Sequence, residues 1–473
     1  MTMDEKRGGG RRPSGARPQA PARQYVVAAA RIEQVRQVLG EILQWQYPAD
    51  AVLSHWFRGH SNAGLRDRGE IAEAVFDVLR HLRRYRQFAE SGAGAAARRL
   101  AILGLASVWP RETLDTGLDD QERRWLDHIE AFSPAGLPRS VRYSIPDWLE
   151  ARLASVENVE SLLQALNQPA PLDLRVNPLK TDRASLLQAW EQGPEARWHA
   201  QPTRYSPWGL RIEGRPPINR WGAFERGEIE VQDEGSQLLA ALVSPRRGEM
   251  VIDFCAGAGG KTLLLGALMH STGRLYAFDV SAARLARAKP RFARSGLSNV
   301  VPVVISEHHD QRVHRLRGKA HRVLVDAPCS GLGTLRRNPD LKWRQHPDAL
   351  TQLCAAQAAI LRDAAACVRP GGRLVYGSCS ILAEENERQV EAFLSEHTEF
   401  ALLEAGPVLA ERGIPLSLDG PYLRLRPDVH GTDGFFGAVM QRALVRPAEP
   451  GPVADSETSG DEPAGSDDPE PQD

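Results

Sequence analysis

The sequence predicts an α/β fold for most of this 473-residue chain: a Rossmann-like domain with a mostly parallel, doubly wound sheet, preceded by a small α/β module and an all-helical domain. Three observations support this prediction. Strand-like apolar runs alternate with helical segments between residues 226 and 446, the pattern of a parallel sheet covered by helices. A glycine turn, Gly257 to Gly260, follows the first of these runs. Between residues 25 and 139 the apolar spacing is helical throughout.

The two ends of the chain are predicted to be disordered. Residues 1–24 are rich in Gly, Pro and Arg, and residues 447–473 combine Pro, Ser and Gly with acidic side chains and have no Lys or Arg. Neither composition can bury a core. The first residues lack the apolar stretch of a signal peptide, and no apolar run approaches the ~18 residues that cross a bilayer. We therefore expect a cytoplasmic protein with no membrane partner.

Charge and cysteine content exclude some functions. The net charge is -1, and between the charged ends residues 25–446 carry 53 basic and 49 acidic side chains, a basic excess too small to indicate nucleic-acid binding by itself. The five cysteines include no C-x-x-C pair, so neither a disulfide framework nor a structural zinc site is indicated, and no metal is expected. The cysteines are interpreted as free thiols.

Residues 25–139 are predicted to form a small all-helical domain. Two segments have apolar residues at helical spacing. These residues are Ile32, Val35, Leu39, Ile42 and Leu43 in the first segment, and Ile71, Val75, Val78, Leu79, Leu82 and Tyr85 in the second. The second segment also has an arginine-rich face, formed by Arg80, Arg83, Arg84 and Arg86. Two interpretations of that face stay open: contact with RNA phosphates, or simple solvation.

The rest of the fold is predicted from turns and apolar runs. Residues 140–225 are expected to form a small mixed module, with a helix beginning at Trp148–Leu153 and a strand and turn at Leu172–Pro178. Between residues 226 and 446, the predicted parallel strands are Val251–Phe254, Leu275–Phe278, Val300–Ile305, Val323–Val325 and Leu374–Tyr376. A late apolar run, Gly434–Met440, is expected to add an edge strand.

The glycine turn after the first strand is a predicted cofactor site. Gly257, Gly259 and Gly260 let the backbone pass close to a ligand, and the following helix start offers free N–H groups. A Walker P-loop would need glycine at Cys255, and a dinucleotide fingerprint would need a small residue at Thr262. S-adenosylmethionine has no phosphate and requires only the turn and a carboxylate for its ribose hydroxyls. The pattern therefore favours S-adenosylmethionine.

Two strand-end carboxylates accompany this turn. Asp279 ends the second strand, 19 residues past Gly260, and is placed to hold the ribose. Asp253 ends the first strand and either orients the loop or reaches the methionine ammonium. Taken alone, the loop is as compatible with ordinary turn glycines and strand-end carboxylates as with a cofactor site.

Two cysteines lie at the ends of the fourth and fifth predicted strands. Asp326 ends the fourth strand, Cys329 follows three residues later, and Cys379 ends the fifth. Neighbouring parallel strands lie about 4.8 Å apart, so both thiols could approach one base. A thiolate that adds to carbon 6 of a cytosine makes carbon 5 reactive, and a donor near N3 and O2 supports the charge that develops on the ring. The alternative is that each cysteine is a small buried hydrophobe.

These motifs resemble the Sun/Fmu family of RNA cytosine carbon-5 methyltransferases. The matching segments are Asp253–Thr262, Asp279, Asp326–Gly331, Arg336–Trp343, Cys379 with Glu384–Asn386, and His430–Phe436. Upstream, Tyr143–Leu149, Leu174–Pro178 and Val231–Ser236 resemble the family's smaller RNA-recognition module and the entry to its catalytic domain. The helical region resembles a NusB-type RNA-binding domain.

The resemblance implies a role for each reactive residue. Cys379 is implied to be the nucleophile that attacks carbon 6, and Cys329 is implied to assist release of the methylated RNA. Asp326 and Lys261 are implied to hold the cytosine edge, while Asp279 is implied to hold the ribose of S-adenosylmethionine.

The resemblance also implies the cofactor site. Its residues are Asp253, Cys255, Ala256, Gly257, Ala258, Gly259, Gly260, Lys261, Asp279, Arg284, Glu307 and Asp326. Glu307 is the first choice for the adenine amino group and Asp310 the second. The thiol of Cys255 is interpreted as structural, like Cys354 and Cys367.

RNA is the implied partner. Arg336, Arg337 and Lys342 are implied to meet its phosphates, and Trp343 either packs the loop or stacks on a base. Small-subunit ribosomal RNA is the favoured substrate and transfer RNA its rival, with an rRNA-binding assembly factor of little activity as the alternative from another class. DNA cytosine methyltransferases are disfavoured, because they carry their nucleophile in the Pro-Cys pair where this family has its second cysteine. A monomer is expected.

Overall fold

A computed structural model of the protein describes residues 21–306 and 310–444. The predicted disordered tail, residues 447–473, and residues 1–20 lie outside this part of the chain. The first boundary differs from the prediction, since helix α1, Pro21–Ile42, includes residues 21–24. Proline is favoured at the first position of a helix because its missing N–H would have no helical partner there.

Residues 21–131 form six helices around a common core. They are α1, α2 Ala49–Gly59, α3 Leu65–Glu90, α4 Ala96–Ala106, α5 Arg111–Asp115 and α6 Asp120–Ala131. The two predicted apolar faces meet in this core: Ile32 and Leu39 of α1 lie in one buried cluster with Val75 and Leu79 of α3. The prediction of a helical N-terminal region is confirmed.

The arginine-rich face of α3 is a contact between domains, which neither interpretation of the sequence anticipated. The Arg80 guanidinium donates to the carbonyl of Arg336 at 3.0 Å, and Arg83 forms an ion pair with Asp147 at 2.6 Å. Of the four arginines, Arg86 alone is exposed. Guanidinium groups suit such a junction because they supply several donors to backbone carbonyls that would otherwise be buried without partners.

Residues 139–231 form the small α/β module around an antiparallel sheet in the order β2-β3-β1-β4. Its strands are β1 Leu172–Val176, β2 Gln201–Pro202, β3 Gly209–Ile212 and β4 Ile229–Val231. Its helices are α7 Arg139–Arg142, α8 Asp147–Leu153, α9 Val159–Leu166, α10 Arg183–Glu191 and α11 Gly222–Glu225. The predicted helix and strand correspond to α8 and β1. The sheet extends past the predicted boundary at residue 225, because β4 pairs with β1.

The third unit is an eight-stranded sheet in the order β10-β12-β9-β8-β5-β6-β7, with β11 beside β12. Its strands are β5 Met250–Asp253, β6 Arg274–Asp279, β7 Val300–Val304, β8 Ala320–Asp326, β9 Val368–Ser378, β10 Phe400–Leu403, β11 Leu423–Leu425 and β12 Phe435–Arg442. Strands β5 to β9 pair in parallel, so the predicted Rossmann-like fold is confirmed.

Nine helices accompany this sheet in the described part of the chain. They are α12 Glu234–Leu242, α13 Gly260–Leu268, α14 Ala282–Ser295, α15 Gln311–His314, α16 Leu341–Arg344, α17 Pro347–Cys367, α18 Glu387–Glu396, α19 Ala405–Ala410 and α20 Pro427–His430. The chain runs outward from β5 through β6 and β7, then returns to the other side of β5 as β8 and β9. Ligands of such sheets bind where the strand order reverses, which here is at the carboxyl ends of β5 and β8.

The prediction that Gly434–Met440 would be an edge strand is wrong. Strand β12 lies inside the sheet, antiparallel to β9 on one side and to β10 and β11 on the other. Six of its eight residues are buried. A nearly continuous apolar run is typical of a strand covered on both faces, whereas an edge strand is commonly shorter or interrupted by charge.

In the described part of the chain, no helix combines the length and the apolar character needed to cross a membrane.

Candidate active site at the carboxyl ends of the parallel strands

A cavity of about 1070 Å³ opens at the carboxyl ends of the central strands. It brings together most of the predicted cofactor and catalytic residues. Those in its wall are Cys255, Ala256, Gly257, Ala258, Gly260, Lys261, Asp279, Arg284, Asp326, Cys329 and Cys379. Among the other predicted residues, Asp253 is almost fully buried below the loop, and Gly259 packs against α14.

The cofactor loop depends on glycine at position 259. This residue precedes α13 with φ of 82°, a conformation that side chains rarely adopt. A Cβ atom there would lie 2.6 Å from a ring carbon of Phe292 on α14. The glycine therefore permits both the left-handed turn and close packing of the loop on the neighbouring helix.

We expect Gly259→Ala to destabilise the protein more than Gly248→Ala. Both positions have positive φ, 82° and 78°, which costs an alanine about 1–2 kcal/mol. Only the alanine at position 259 would also press its methyl group on Phe292, since nothing lies within 4 Å of a Cβ at position 248. Such overpacking adds about 1–3 kcal/mol to the loss of stability. Thermal unfolding of the two variants measures the difference. Equal losses of stability in the two variants would mean that α14 moves away from the new methyl group at no cost in free energy.

Asp279 holds the turn of the cofactor loop. Its carboxylate accepts the backbone N–H of Gly257 at 2.8 Å and that of Ser281 at 2.7 Å. The side chain is nearly buried yet lines the cavity. Two backbone donors orient the carboxylate at the cavity wall, and it keeps lone pairs for further donors.

We expect Asp279→Asn to weaken S-adenosylmethionine binding by about tenfold to a hundredfold, the value of a hydrogen bond to a charged group. The amide would also place an N–H₂ group against one of the backbone donors. Calorimetric titration with S-adenosylmethionine measures the change. Asp419→Asn is the matched control, because Asp419 is exposed and outside the cavity. Unchanged affinity in Asp279→Asn would contradict a ribose role.

Asp253 is hydrogen-bonded to the helix that follows the loop, a contact compatible with the first of its two predicted roles, orienting the loop. Its carboxylate accepts the hydroxyl of Thr262 at 2.7 Å, tying the end of β5 to the first turn of α13. Burial, with some help from the charges of Asp326 and Asp279, raises the pKa of Asp253 to about 7. Its second oxygen has no hydrogen-bond partner in the described part of the protein.

Lys261 and Asp326 form an ion pair in the cavity wall, 2.7 Å between Nζ and Oδ2. Burial alone would lower the pKa of Lys261, but the charge of Asp326 and its hydrogen bond outweigh burial, so that pKa is raised. The pair places an ammonium donor and a carboxylate acceptor side by side. The ammonium could donate to an acceptor on the edge of a base, and the carboxylate could accept from an amino group on the same edge.

The two predicted reactive cysteines lie together, with 3.3 Å between the Sγ atoms of Cys329 and Cys379. Their strands are neighbours, and Asp326 of β8 is paired in register with Gly377 of β9. The contact with Cys379, together with burial, raises the pKa of the Cys329 thiol well above its usual range. Cys329 therefore holds its proton firmly.

The other three cysteines take no part in this pair. Burial raises the pKa of Cys255 well above its ordinary value, although Cys255 lines the cavity. Burial likewise raises the pKa of Cys367 to about 12. Cys354 lies on α17 against the core of the small module. Thiols that resist ionisation are poor nucleophiles, which supports a structural interpretation of these residues.

The structure adds residues that the sequence did not indicate. Arg175 of β1 is almost fully buried and donates to the carbonyl of Gly260 at 2.7 Å. Arg291 of α14 donates to the carbonyl of Ala258 and pairs with Glu230 of β4. The small module is thus bonded directly to the cofactor loop. No local pattern could have shown this, because the two partners are far apart in sequence.

Arg336, Arg337 and Lys342 occupy positions different from the solvent-facing ones expected of phosphate contacts. Arg337 pairs with Asp233 and Asp433, and Arg336 donates to backbone carbonyls on the loop before β12. Lys342 is only 1% exposed. Their charges and donors are used inside the protein, because three domains meet at this loop.

Lys342 and Trp343 attach this loop to the helical domain. Lys342 Nζ donates to the carbonyl of Arg80 at 2.6 Å and to Asn167 at 2.9 Å. Burial lowers its pKa well below the usual range. The Trp343 indole N–H donates to the carbonyl of Leu79 at 2.9 Å. Of the two predicted roles for Trp343, packing the loop is the one that the geometry supports.

Of the two residues predicted to contact adenine, the structure describes one. Glu307, the first choice for the amino group, lies outside the described residues. Asp310 lines the cavity. Its carboxylate already accepts hydrogen bonds from the Arg312 guanidinium and from the backbone N–H of Ser306. The hydrogen bond from Arg312 holds the pKa of Asp310 well below its usual range. Among residues 21–306 and 310–444, no cluster of His, Cys, Asp and Glu is arranged to bind a metal ion.

Comparison with known proteins identifies the family. Residues 240–441 match the family model for the 16S rRNA methyltransferase RsmB/F, and residues 145–219 match the RsmF/B-like ferredoxin-like domain. The chain is 36% identical over 307 residues to the probable ribosomal RNA small subunit methyltransferase B of Synechocystis, covering 64% of this chain and 68% of that protein. It is 33% identical over 338 residues to the corresponding Bacillus subtilis protein, covering 68% and 71%.

A solved structure supports the same conclusion. The crystal structure of PH0851 superposes with a TM-score of 0.68 at 27% identity, covering 89% of this chain and 99% of that one. The matched region includes the cofactor loop, both cysteines and the small module. The chain therefore belongs to the RsmB/F family of rRNA methyltransferases, the Sun/Fmu family that its motifs resemble, and is an RNA methyltransferase that uses S-adenosylmethionine.

Proposed function

We propose that this enzyme methylates carbon 5 of a cytosine in small-subunit (16S) ribosomal RNA through a covalent adduct between Cys379 and carbon 6. The observation that carries the proposal is the pair of thiols 3.3 Å apart in the wall of the cofactor cavity. Methyl transfer to a nitrogen or a ribose oxygen needs no thiol, whereas carbon 5 becomes nucleophilic only after addition at carbon 6. The names of the relatives support small-subunit rRNA as the substrate.

Cys379 forms the adduct in this proposal. Its thiolate gives an electron pair to carbon 6, the double bond between carbons 5 and 6 opens, and negative charge develops toward N3 and O2. Lys261 donates to this edge while Asp326 accepts from the base, and their 2.7 Å ion pair keeps both in place. S-adenosylmethionine would supply the methyl group that carbon 5 takes, and its sulfur would keep the electron pair of the broken bond and leave as S-adenosylhomocysteine.

Cys329 assists release. After methylation, carbon 5 gives its proton to a solvent water, the electron pair restores the double bond between carbons 5 and 6, and the Cys379 sulfur departs as a thiolate. The raised pKa of Cys329 keeps its proton on sulfur, so its S–H can donate to the departing thiolate 3.3 Å away. The 3.3 Å contact does not order the two thiols; the family resemblance supports Cys379 for the first step.

The two N-terminal units are proposed to bind RNA around the target, presenting an unpaired or flipped cytosine to the cavity. The bond from Arg175 to the cofactor loop, and the ion pair of Glu230 with Arg291, which itself bonds to that loop, support this role for the small module, because they would couple RNA docking to the site. We propose that the protein acts as a monomer in the cytoplasm, with all its RNA-binding units on one chain.

Transfer of labelled methyl groups from S-adenosylmethionine to unmodified RNA tests the function. Unmodified small-subunit rRNA and unmodified transfer RNA are compared, and the products are digested and separated as nucleosides. We expect 5-methylcytidine from rRNA alone. A different methylated nucleoside would contradict the chemistry, and transfer confined to transfer RNA would contradict the substrate. RNA binding without methyl transfer to either would favour an assembly factor.

A further inference from the structure

One buried carboxylate connects the two loops that carry the thiols. Glu385 is 0% exposed. One of its oxygens accepts the backbone N–H of Ser330 at 2.7 Å, and the other accepts the hydroxyls of Ser330 and Ser380. Ser330 follows Cys329 in the chain, and Ser380 follows Cys379. The same side chain is therefore bonded to the residue next to each thiol.

The carboxylate is itself held from two other elements. Gln357 of α17 donates to Glu385 at 3.0 Å and also to the carbonyl of Pro328, the residue before Cys329, at 2.9 Å. The Tyr376 hydroxyl of β9 donates to the Glu385 carbonyl at 2.6 Å. The position of Glu385 is thus set by both the strand that leads to Cys379 and the helix that packs behind Cys329.

Glu385 has no compensating cation. None of the ion pairs formed by the described residues includes it, so its desolvation is offset by four hydrogen-bond donors instead. A carboxylate is suited to joining two loops because it accepts at two oxygens with fixed separation, whereas an apolar residue would leave the serine hydroxyls and an N–H without partners. The arrangement makes the spacing of the loops depend on one side chain.

We propose that Glu385 is a positioning residue that sets the distance between Cys329 and Cys379. Its catalytic consequence rests on the proposed function, because hand-over of a proton between the sulfurs requires them to stay within contact distance. Glu385 touches neither thiol and acts through Ser330 and Ser380. Its loss would leave both thiols in the cavity but no longer aligned.

The first test measures thiol spacing without RNA. Hydrogen peroxide takes two electrons and two protons from a pair of thiols, giving a disulfide and two molecules of water. The rate at which the Cys329–Cys379 linked peptide appears is followed by mass spectrometry. We expect Glu385→Gln to form it about tenfold more slowly than wild type, since a displacement of even 1 Å disfavours reaction between two groups. Equal rates would overturn the proposal.

The second test measures catalysis in the full-length enzyme. We expect kcat of Glu385→Gln to fall about a hundredfold, with the KM for S-adenosylmethionine unchanged and the protein–RNA adduct persisting longer. Glu384→Gln is the matched control, because Glu384 is partly exposed and pairs with Arg152 outside the cavity. Wild-type kcat and adduct lifetime in a Glu385→Gln protein of lowered Tm would show a purely structural role and overturn the proposal.

A second variant covers the case in which Glu385→Gln fails to fold. The double variant Ser330→Ala with Ser380→Ala removes the hydroxyl contacts and leaves the carboxylate, and the same slow oxidation is expected of it; a wild-type rate would overturn the proposal. The oxidation experiment also distinguishes the positioning role of Glu385 from the proposed methyltransferase function, because it needs no RNA. Slow oxidation in the variants with no methyl transfer by wild type would support the positioning role and reject the proposed function.

Discussion

Cys379→Ala is expected to abolish methyl transfer, lowering kcat by on the order of 10⁴-fold or more, because it removes the thiolate that activates carbon 5 in the proposed mechanism. Cys329→Ala is expected to have a different effect: the first addition still occurs, but the departing sulfur loses its donor 3.3 Å away. A covalent protein–RNA complex should therefore accumulate in Cys329→Ala and be absent in Cys379→Ala. Denaturing gels with labelled rRNA, in the presence of S-adenosylmethionine, measure the amount of covalent complex in each variant.

Cys354→Ala is the control for this pair. Cys354 is a partly buried thiol on α17 that is not among the residues lining the cavity, so its removal should leave methyl transfer near the wild-type rate. An adduct in Cys379→Ala that disappears on further substitution of Cys329 would show that the two roles are reversed. Full activity in Cys379→Ala would remove the covalent mechanism altogether.

Lys261→Met is expected to lower kcat/KM by about 10²–10³-fold, the usual loss when one donor to a developing negative charge is removed. It should also lower the free energy of unfolding by about 2 kcal/mol, because Asp326 would keep its charge without a partner. This is less than the ~3–5 kcal/mol for a fully buried pair, since the Asp326 side chain is 29% exposed. Kinetics with rRNA and denaturant unfolding provide the two values.

Asp326→Asn and the double variant complete a thermodynamic cycle. Because Lys261 and Asp326 are in direct contact, the stability losses of the single variants should not add in the double variant. Lys289→Met is the matched control, as Lys289 is exposed on α14. Additive losses would indicate that the ion pair has no energetic role, and unchanged kcat/KM in Lys261→Met would exclude Lys261 from holding the base.

Local patterns predicted the elements that local physics governs. The apolar spacing in α1 and α3 follows the helical repeat, so it indicated the faces that meet in the core. The five parallel strands and the glycine turn were recognisable for the same reason, since each is defined within about ten residues. Asp279 was also predictable, because the end of the strand after a glycine turn is a position with a known chemical use.

The position of β12 was not predictable from its own residues. Its apolar run favours burial of both faces but does not show whether another strand pairs along its far side, and pairing with β10 and β11 places it inside the sheet. The roles of Arg336 and Lys342 could not be predicted for a similar reason. A cationic side chain in a loop can bind a phosphate or donate to a backbone carbonyl. Lys342 donates to the carbonyl of Arg80, 262 residues away in the chain.

The sequence by itself determined the fold class, the cofactor loop and the two cysteines, because helix periodicity, glycine conformation and strand-end position act over a few residues. Only the tertiary structure decided that the sulfurs lie 3.3 Å apart, that Glu385 joins their loops and that Arg175 reaches the cofactor loop. These features depend on which distant segments pack together. Hydrogen-bond partners of buried groups are chosen by that packing, so they have no local pattern.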